Sequence, residues 1–157
     1  MTATASSYTT VDPHLAFVID DDASVRSSIE AVLAQLRMKA ASFQMAKEAL
    51  ASLDAGHHPA IIFLDVALLR SDAIDVLRGL GERHYGGVVQ LMSGGRQALI
   101  EAVQRIGIRH GIRLAAPLHK PFEREAIMQA LLASHSAGAN APTGREPTSE
   151  PSSAVNR

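Results

Sequence analysis

The feature that most constrains this chain is a repeated alternation of two periodicities. Short continuous apolar runs, the mark of strands buried on both faces, are each followed by a stretch whose apolar residues recur at helical spacing. Leu15 to Ile19 (LAFVI) is the first run, and Val25, Ile29, Val32, Leu33 and Leu36 fall on one helical face after it, with Ser24 the expected N-cap. A weaker strand over 40–43 precedes a helix with Ala46, Ala49, Leu50 and Leu53 inward, which the segment from Gly56 to Pro59 stops. Ala60 to Leu64 (AIIFL) is the second strong strand, with Ile74, Leu77 and Leu80 on a helix that ends at Gly81. Val88 to Met92 with Leu99, Val103 and Ile106 gives a fourth unit, in which Gly107 and Gly111 close or fray the helix. Residues 114–118 with Ala126, Ile127, Ala130 and Leu131 give a fifth. Five βα units in succession predict an α/β fold, a five-stranded parallel sheet doubly wound with five helices. Right-handed crossovers leave few topologies, and order 2-1-3-4-5 is the expected one.

Both ends depart from this pattern. Residues 1–12, rich in Thr, Ala and Ser, read as a flexible N-terminal segment, and residues 13–134 hold the domain. Residues 135–157, interrupted by Pro142, Pro147 and Pro151, read as a low-complexity C-terminal tail. Composition then removes whole classes of function. The absence of Cys rules out a thiol nucleophile, a Cys-ligated zinc and a disulfide scaffold. A net charge of −1 argues against a general nucleic-acid binder, and 4% aromatic residues argue against base-stacking platforms. No apolar run is long enough to span a bilayer and no secretory signal precedes Leu15, so a cytoplasmic protein without membrane contact is expected.

In an open sheet of this order, sites form beyond the carboxyl ends of the strands, where the order reverses between the first and third. Asp20, Asp21 and Asp22 directly follow the first strand, and Asp65 follows the third. Carboxylates brought so close call for a cation, and an all-oxygen donor set points to Mg²⁺. Ser93 ends the fourth strand and Lys120 the fifth, on the same rim. Together these groups describe a site that handles phosphoryl groups. Asp65 is the nucleophile, Mg²⁺ and Lys120 neutralise charge, and Ser93 bonds the product.

Several segments carry a resemblance: FVIDDDASVR at 17–26, IIFLDVALL at 61–69, DAIDVLRGL at 72–80, LMSGG at 91–95 and HKPF at 119–122. From about Leu15 to Ala133 the chain resembles the response-regulator receiver domain of bacterial two-component signalling, a flavodoxin-like fold. The resemblance implies that Asp65 accepts the phosphoryl group. It implies that Asp20 and Asp21, with Asp65 and the backbone carbonyl of Ala67, hold Mg²⁺. Ser93 then matches the switch hydroxyl and Lys120 the lysine that contacts the phosphoryl group, with a cis Lys120–Pro121 bond. Asp22 is read as a residue at the start of the first helix.

The departures from the family pattern bear on output. Leu69 stands where many receivers have Pro, Ala73 where they have Gly, and Gly94 leaves room beside Ser93. The stretch from Ser93 to Lys120 is longer than in compact receivers. Pro117 occupies the position of the switch aromatic. The LMSGG and APLHKPF segments are most similar to receivers attached to EAL-type cyclic-di-GMP phosphodiesterases, but a tail stands where that output domain would begin. The expected function is therefore a stand-alone response regulator, a signalling protein rather than an enzyme. It takes its phosphoryl group from a sensor histidine kinase or a histidine phosphotransfer protein, and it switches a partner-binding or homodimer surface between the fourth strand and the fifth helix. From Arg96 to Lys120 five basic residues face one acid, which suits an acidic partner. Two rival readings stand beside this. One is a pseudo-receiver that binds partners without phosphorylation. The other is a haloacid-dehalogenase-like phosphohydrolase, whose D-x-D motif Asp20-Asp21-Asp22 imitates.

Overall fold

Side chains along a strand alternate between two faces, and where helices cover both faces every position becomes apolar. The computed structural model, which describes residues 8–68 and 73–139 with side chains as far as His135, shows this arrangement. In chain order the elements are β1 (Asp12–Ile19), α1 (Ala23–Gln35), β2 (Lys39–Phe43), α2 (Ala46–Asp54), β3 (Pro59–Asp65) and α3 (Ala73–Glu82). They continue with β4 (Val88–Ser93), α4 (Gln97–Arg109), β5 (Arg113–Leu114), β6 (Leu118–His119) and α5 (Arg124–Ala139). All strand pairs are parallel, in the order β2-β1-β3-β4-β5, and β6 also pairs with β4.

Phe17, Ile19, Ile62, Leu64, Val89 and Leu91 point into a core shared with α2, α3 and α4. Their neighbours Ala16, Val18, Ile61, Phe63 and Met92 point the other way, against Ile29, Val32 and Leu33 of α1 and Ile127, Ala130 and Leu131 of α5. Two cores thus clamp the central strands, and apart from Gln90 within β4 the buried polar groups of these strands, Asp65 and Ser93, stand at their ends. Among the described residues no helix is long and apolar enough to cross a membrane.

Several local expectations need correction. The N-cap of α1 is Asp22 rather than Ser24; its side chain accepts from Ser24 N, because a carboxylate two positions further out reaches the free N–H groups of the first turn. Leu36 is the C-cap and stays exposed. In α3 the buried face runs through Ala73, Val76, Leu77 and Leu80, with Ile74 only half-buried, and in α4 through Ile100, Val103 and Gly107, with the expected Leu99 packed at its margin and Ile106 half-buried. Gly107 does not close α4. It lies inside the helix, where a Cβ would come within 2.9 Å of Leu114 Cδ1, so its lack of a side chain lets β5 pack close. β1 starts at Asp12 rather than Leu15, and α5 runs to Ala139, past the expected boundary at 134. Leu69, the remainder of the N-terminal segment (1–7) and the tail from 140 lie outside the described residues.

The fifth strand differs most. The strand expected over 114–118 is two short pieces, β5 paired at Val88–Arg113 and Val89–Leu114, and β6 paired at Met92–Leu118 and Ser93–His119. Pro117 sits at the break because it has no N–H to give the ladder. Two bonds span the gap: Ala115 N donates to Val89 O at 3.0 Å, and the side-chain amide of Gln90 donates to Ala116 O at 2.6 Å.

Candidate functional site at the strand ends

Parallel register sets the site. β1 and β3 pair at Ile19–Leu64, so the next residues, Asp20 and Asp65, stand side by side where the strands end. β3 and β4 pair at Asp65–Met92, and Val66 N donates to Met92 O at 3.0 Å, which fixes the exit of the chain after Asp65. On the other flank Lys120 N donates to Ser93 O at 2.7 Å, which aims the Lys120 side chain back over the rim. The Lys120–Pro121 bond is cis.

Lys120 Nζ donates to Asp20 Oδ2 at 2.6 Å and lies 3.3 Å from Asp65 Oδ2. Both carboxylates belong to the buried residues, Asp20 at 0% exposure and Asp65 at 5%. Their remaining oxygens are held by backbone donors: Asp22 N reaches Asp20 Oδ1 at 2.9 Å, and Ala67 N reaches Asp65 Oδ1 at 3.0 Å. Burial pushes the Asp20 carboxyl above its ordinary range, against the opposing pull of its bond from Lys120. Burial alone would lower the Lys120 ammonium, but Asp20 and Asp65 outweigh it and hold the group above its ordinary value. One ammonium therefore serves two buried acids.

One oxygen each of Asp20, Asp21 and Asp65 lies within 4.8 Å of the others. An open cavity of about 590 Å³ stands over them, bordered also by Asp22, Gln44, Ala67 and Lys120. Three carboxylate oxygens converging on solvent fit a hard divalent cation, because such ions take oxygen donors and retain waters. The expected Asp20, Asp21, Asp65, Ala67 and Lys120 are thus brought together. Ser93 lies on the same rim but is buried beside the cavity, its Oγ accepting from Gly95 N at 3.3 Å. A Cβ on Gly94 would meet nothing within 4 Å, so the space next to Ser93 is open. Pro117 is set off from the cavity, between β5 and β6.

Sequence reasoning missed two participants. Gln44 borders the cavity. It follows β2, the strand beside β1, so the strand-end rule applied to β2 would have found it. Arg26 donates from Nη1 to the backbone carbonyl of Asp20 at 2.7 Å and so holds the turn that carries the acids. Only its place on the first turns of α1 hinted at that.

The family model of the response regulator receiver domain matches residues 16–132. No curated protein matches the chain. Among solved structures it is similar to NtrX from Brucella abortus, at 23% identity and TM-score 0.67, covering 80% of this chain and 27% of that one. It is similar to the beryllofluoride-activated NtrC4 receiver domain dimer, at 21% identity and TM-score 0.67, covering 79% of this chain and 98% of that one. It is also similar to the chemotaxis protein CheY4 of Vibrio cholerae, at 16% identity and TM-score 0.65, covering 76% and 97%. The chain thus spans little more than a quarter of NtrX and nearly all of the other two. At these identities the likeness concerns the fold.

Proposed function

The chain belongs to the response-regulator receiver family, and on that premise we propose that it is a phosphorylation-driven switch with Asp65 as its phosphoryl acceptor. Receiver domains are signalling modules that bind Mg²⁺ at an acidic cluster, and Asp20, Asp21 and Asp65 form such a cluster here. One observation carries the reading: the Lys120 ammonium is shared between Asp20 and Asp65 at the floor of an open cavity. A carboxylate held that way keeps its direction by backbone bonding and stays reachable from solvent.

An Asp65 oxygen attacks the phosphorus of a phosphohistidine, the P–N bond breaks, and the departing imidazole takes a proton from solvent. Lys120 keeps its contact as negative charge passes from the carboxylate to the phosphoryl oxygens, and the Ser93 hydroxyl donates to one of them. Asp20, Asp21, Asp65 and the Ala67 carbonyl would hold Mg²⁺, which would supply charge neutralisation when bound. The phosphoryl group carries about −1.5 to −2 charges in place of the carboxylate's single one, and that added charge at a new position biases the face from β4 to α5. The donor is a sensor histidine kinase or a histidine phosphotransfer protein. The readout is a partner surface or a homodimer through that same face. The relation to receivers of EAL-type phosphodiesterases rests on the LMSGG and APLHKPF segments alone.

Asp22 speaks against the phosphohydrolase reading. It is exposed and caps α1 through Ser24 instead of standing free as a general acid. The pseudo-receiver reading is separated by experiment. Wild type incubated with Mg²⁺ and acetyl phosphate gains one labile phosphoryl adduct by intact mass, Asp65→Asn gains none, and Asp20→Asn gains it poorly. An unmodified wild type leaves the pseudo-receiver. An adduct that persists in Asp65→Asn removes Asp65 as acceptor.

A further inference from the structure

Gln90 is a polar side chain in the middle of a central strand, 1% exposed, between apolar neighbours on β4. Buried amides in such places need partners, and this one faces two carbonyls. Its Nε2 donates to Ala116 O at 2.6 Å and to Leu91 O at 3.2 Å, so the NH₂ end of the amide must point toward the edge of the sheet. The partner Ala116 lies in the gap between β5 and β6, next to Pro117. A leucine in place of Gln90 would leave that gap with only the Ala115–Val89 bond.

The two ends of this short segment face different places. Toward the site, β6 is paired to Ser93 through His119, and Lys120 N bonds Ser93 O. Toward the outside, Ala115 and Ala116 form one wall of a groove of about 500 Å³ against α4, opposite Arg105 and the exposed Ile108. Gln90 sits three positions before Ser93 on the same strand and grips that wall by its carbonyl. Position 117 is Pro, so no aromatic ring turns at that position.

Building on the reading of Asp65 as acceptor, we propose that Gln90 is the positioning residue that couples the strand-end site to the α4 groove, by holding the Ala116 carbonyl. A displacement of Ser93 and Lys120 toward a charge at Asp65 pulls on both β4 and β6, and the Gln90–Ala116 bond makes the groove wall move with them. Coupling of this kind is reciprocal, so loss of the bond must be felt at the site as well.

The test uses the full chain labelled with ¹⁵N, wild type and Gln90→Met, with Gln90→Leu as a second variant should the first fold poorly. Mg²⁺ alone is titrated first, then acetyl phosphate is added, with adduct formation followed by intact mass. In wild type the Gln90 side-chain NH₂ signals and the amide signals of Ala116 and Ile108 shift at one or both stages. In the variant the adduct still forms on Asp65, but the shifts at Ala116 and Ile108 fall to about a third or less of the wild-type values. Hydrogen exchange at the Lys120 amide also quickens in the unliganded variant. The proposal is overturned by full-size shifts at Ile108 in the variant, or by an unmoved Gln90 NH₂ pair in wild type that has bound ligand. Absence of an adduct with a normal Mg²⁺ response sinks the acceptor reading alone, and the Mg²⁺ stage then decides the coupling. Absence of both responses sinks the two together.

Discussion

Asp20 is fully buried, and its carboxylate pairs with Lys120, which it shares with Asp65. Its folded pKa lies above the ordinary value of 3.8, chiefly through burial. The folded state therefore holds a proton more readily than the unfolded state does, and stability falls as the pH rises through that folded value. At neutral pH the charged Asp20 opposes folding despite its bond from Lys120, until a metal cation joins the cluster. Asp20→Asn removes that penalty while keeping an acceptor for Lys120. Without divalent cation it should be more stable than wild type by about 1 kcal/mol, with a correspondingly higher melting midpoint that added Mg²⁺ no longer raises. Calorimetry with and without Mg²⁺ reads both, and an intact Mg²⁺ response in the variant would remove Asp20 from the ligand set. At this scale the sequence was informative because each acid directly follows an apolar run, so its place at a strand end needed no tertiary knowledge. Arg26 and Gln90 were not legible in the same way. Each acts on a backbone carbonyl, and carbonyls carry no signature in sequence.

The elements show how far periodicity reaches. Five strand-and-helix units were readable because apolar runs and amphipathic stretches differ in period. On α3 and α4 the expected Leu77, Leu80 and Val103 are buried, while Ala73, Val76, Ile100 and Gly107 of the same faces were not picked out, in part because small residues such as Ala73 and Gly107 do not register as apolar anchors. At the start of α1 the capping residue decides stability. Bonds from Ser24, side chain first, lower the Asp22 carboxyl below its ordinary 3.8. With a depressed folded pKa, this contribution is present above pH 3.8 and is lost as the pH falls through the folded value. Asp22→Ala should therefore melt below wild type at neutral pH, and the two curves should converge in acid. Thermal melts followed by circular dichroism across that range measure it, and a gap that persists when the carboxyl is protonated would assign the loss to something other than the cap.

Across the whole molecule the two rims of the sheet are built for opposite ends. The site rim is polar and open, while the other is tied shut by Thr9 N to His84 O at 3.1 Å, Asp12 N to His58 O at 2.7 Å and Tyr85 Oη to Pro59 O at 2.9 Å. Tyr85 is buried in the core, and burial raises its hydroxyl pKa far above the ordinary 10.0. The unfolded chain releases that proton above pH 10.0 and the folded chain does not, so the stability of wild type falls as the pH rises past that value. The slope from this one group is about 1.4 kcal/mol per pH unit. Tyr85→Phe should cost about 1 kcal/mol at neutral pH through the lost hydrogen bond and should lack that alkaline component in urea titrations. An equal alkaline slope in the variant would place the titration elsewhere. Sequence by itself determined the parallel doubly wound sheet and the rim that carries Asp20, Asp21, Asp65 and Lys120, because both follow from local periodicity and from which residue comes next after a strand. Only the tertiary structure decided that Lys120 bridges Asp20 and Asp65, and that the fifth strand breaks at Pro117 with Gln90 spanning the gap. Those contacts join residues far apart in the chain, and their distances are set by packing two cores against one sheet, which no local pattern encodes.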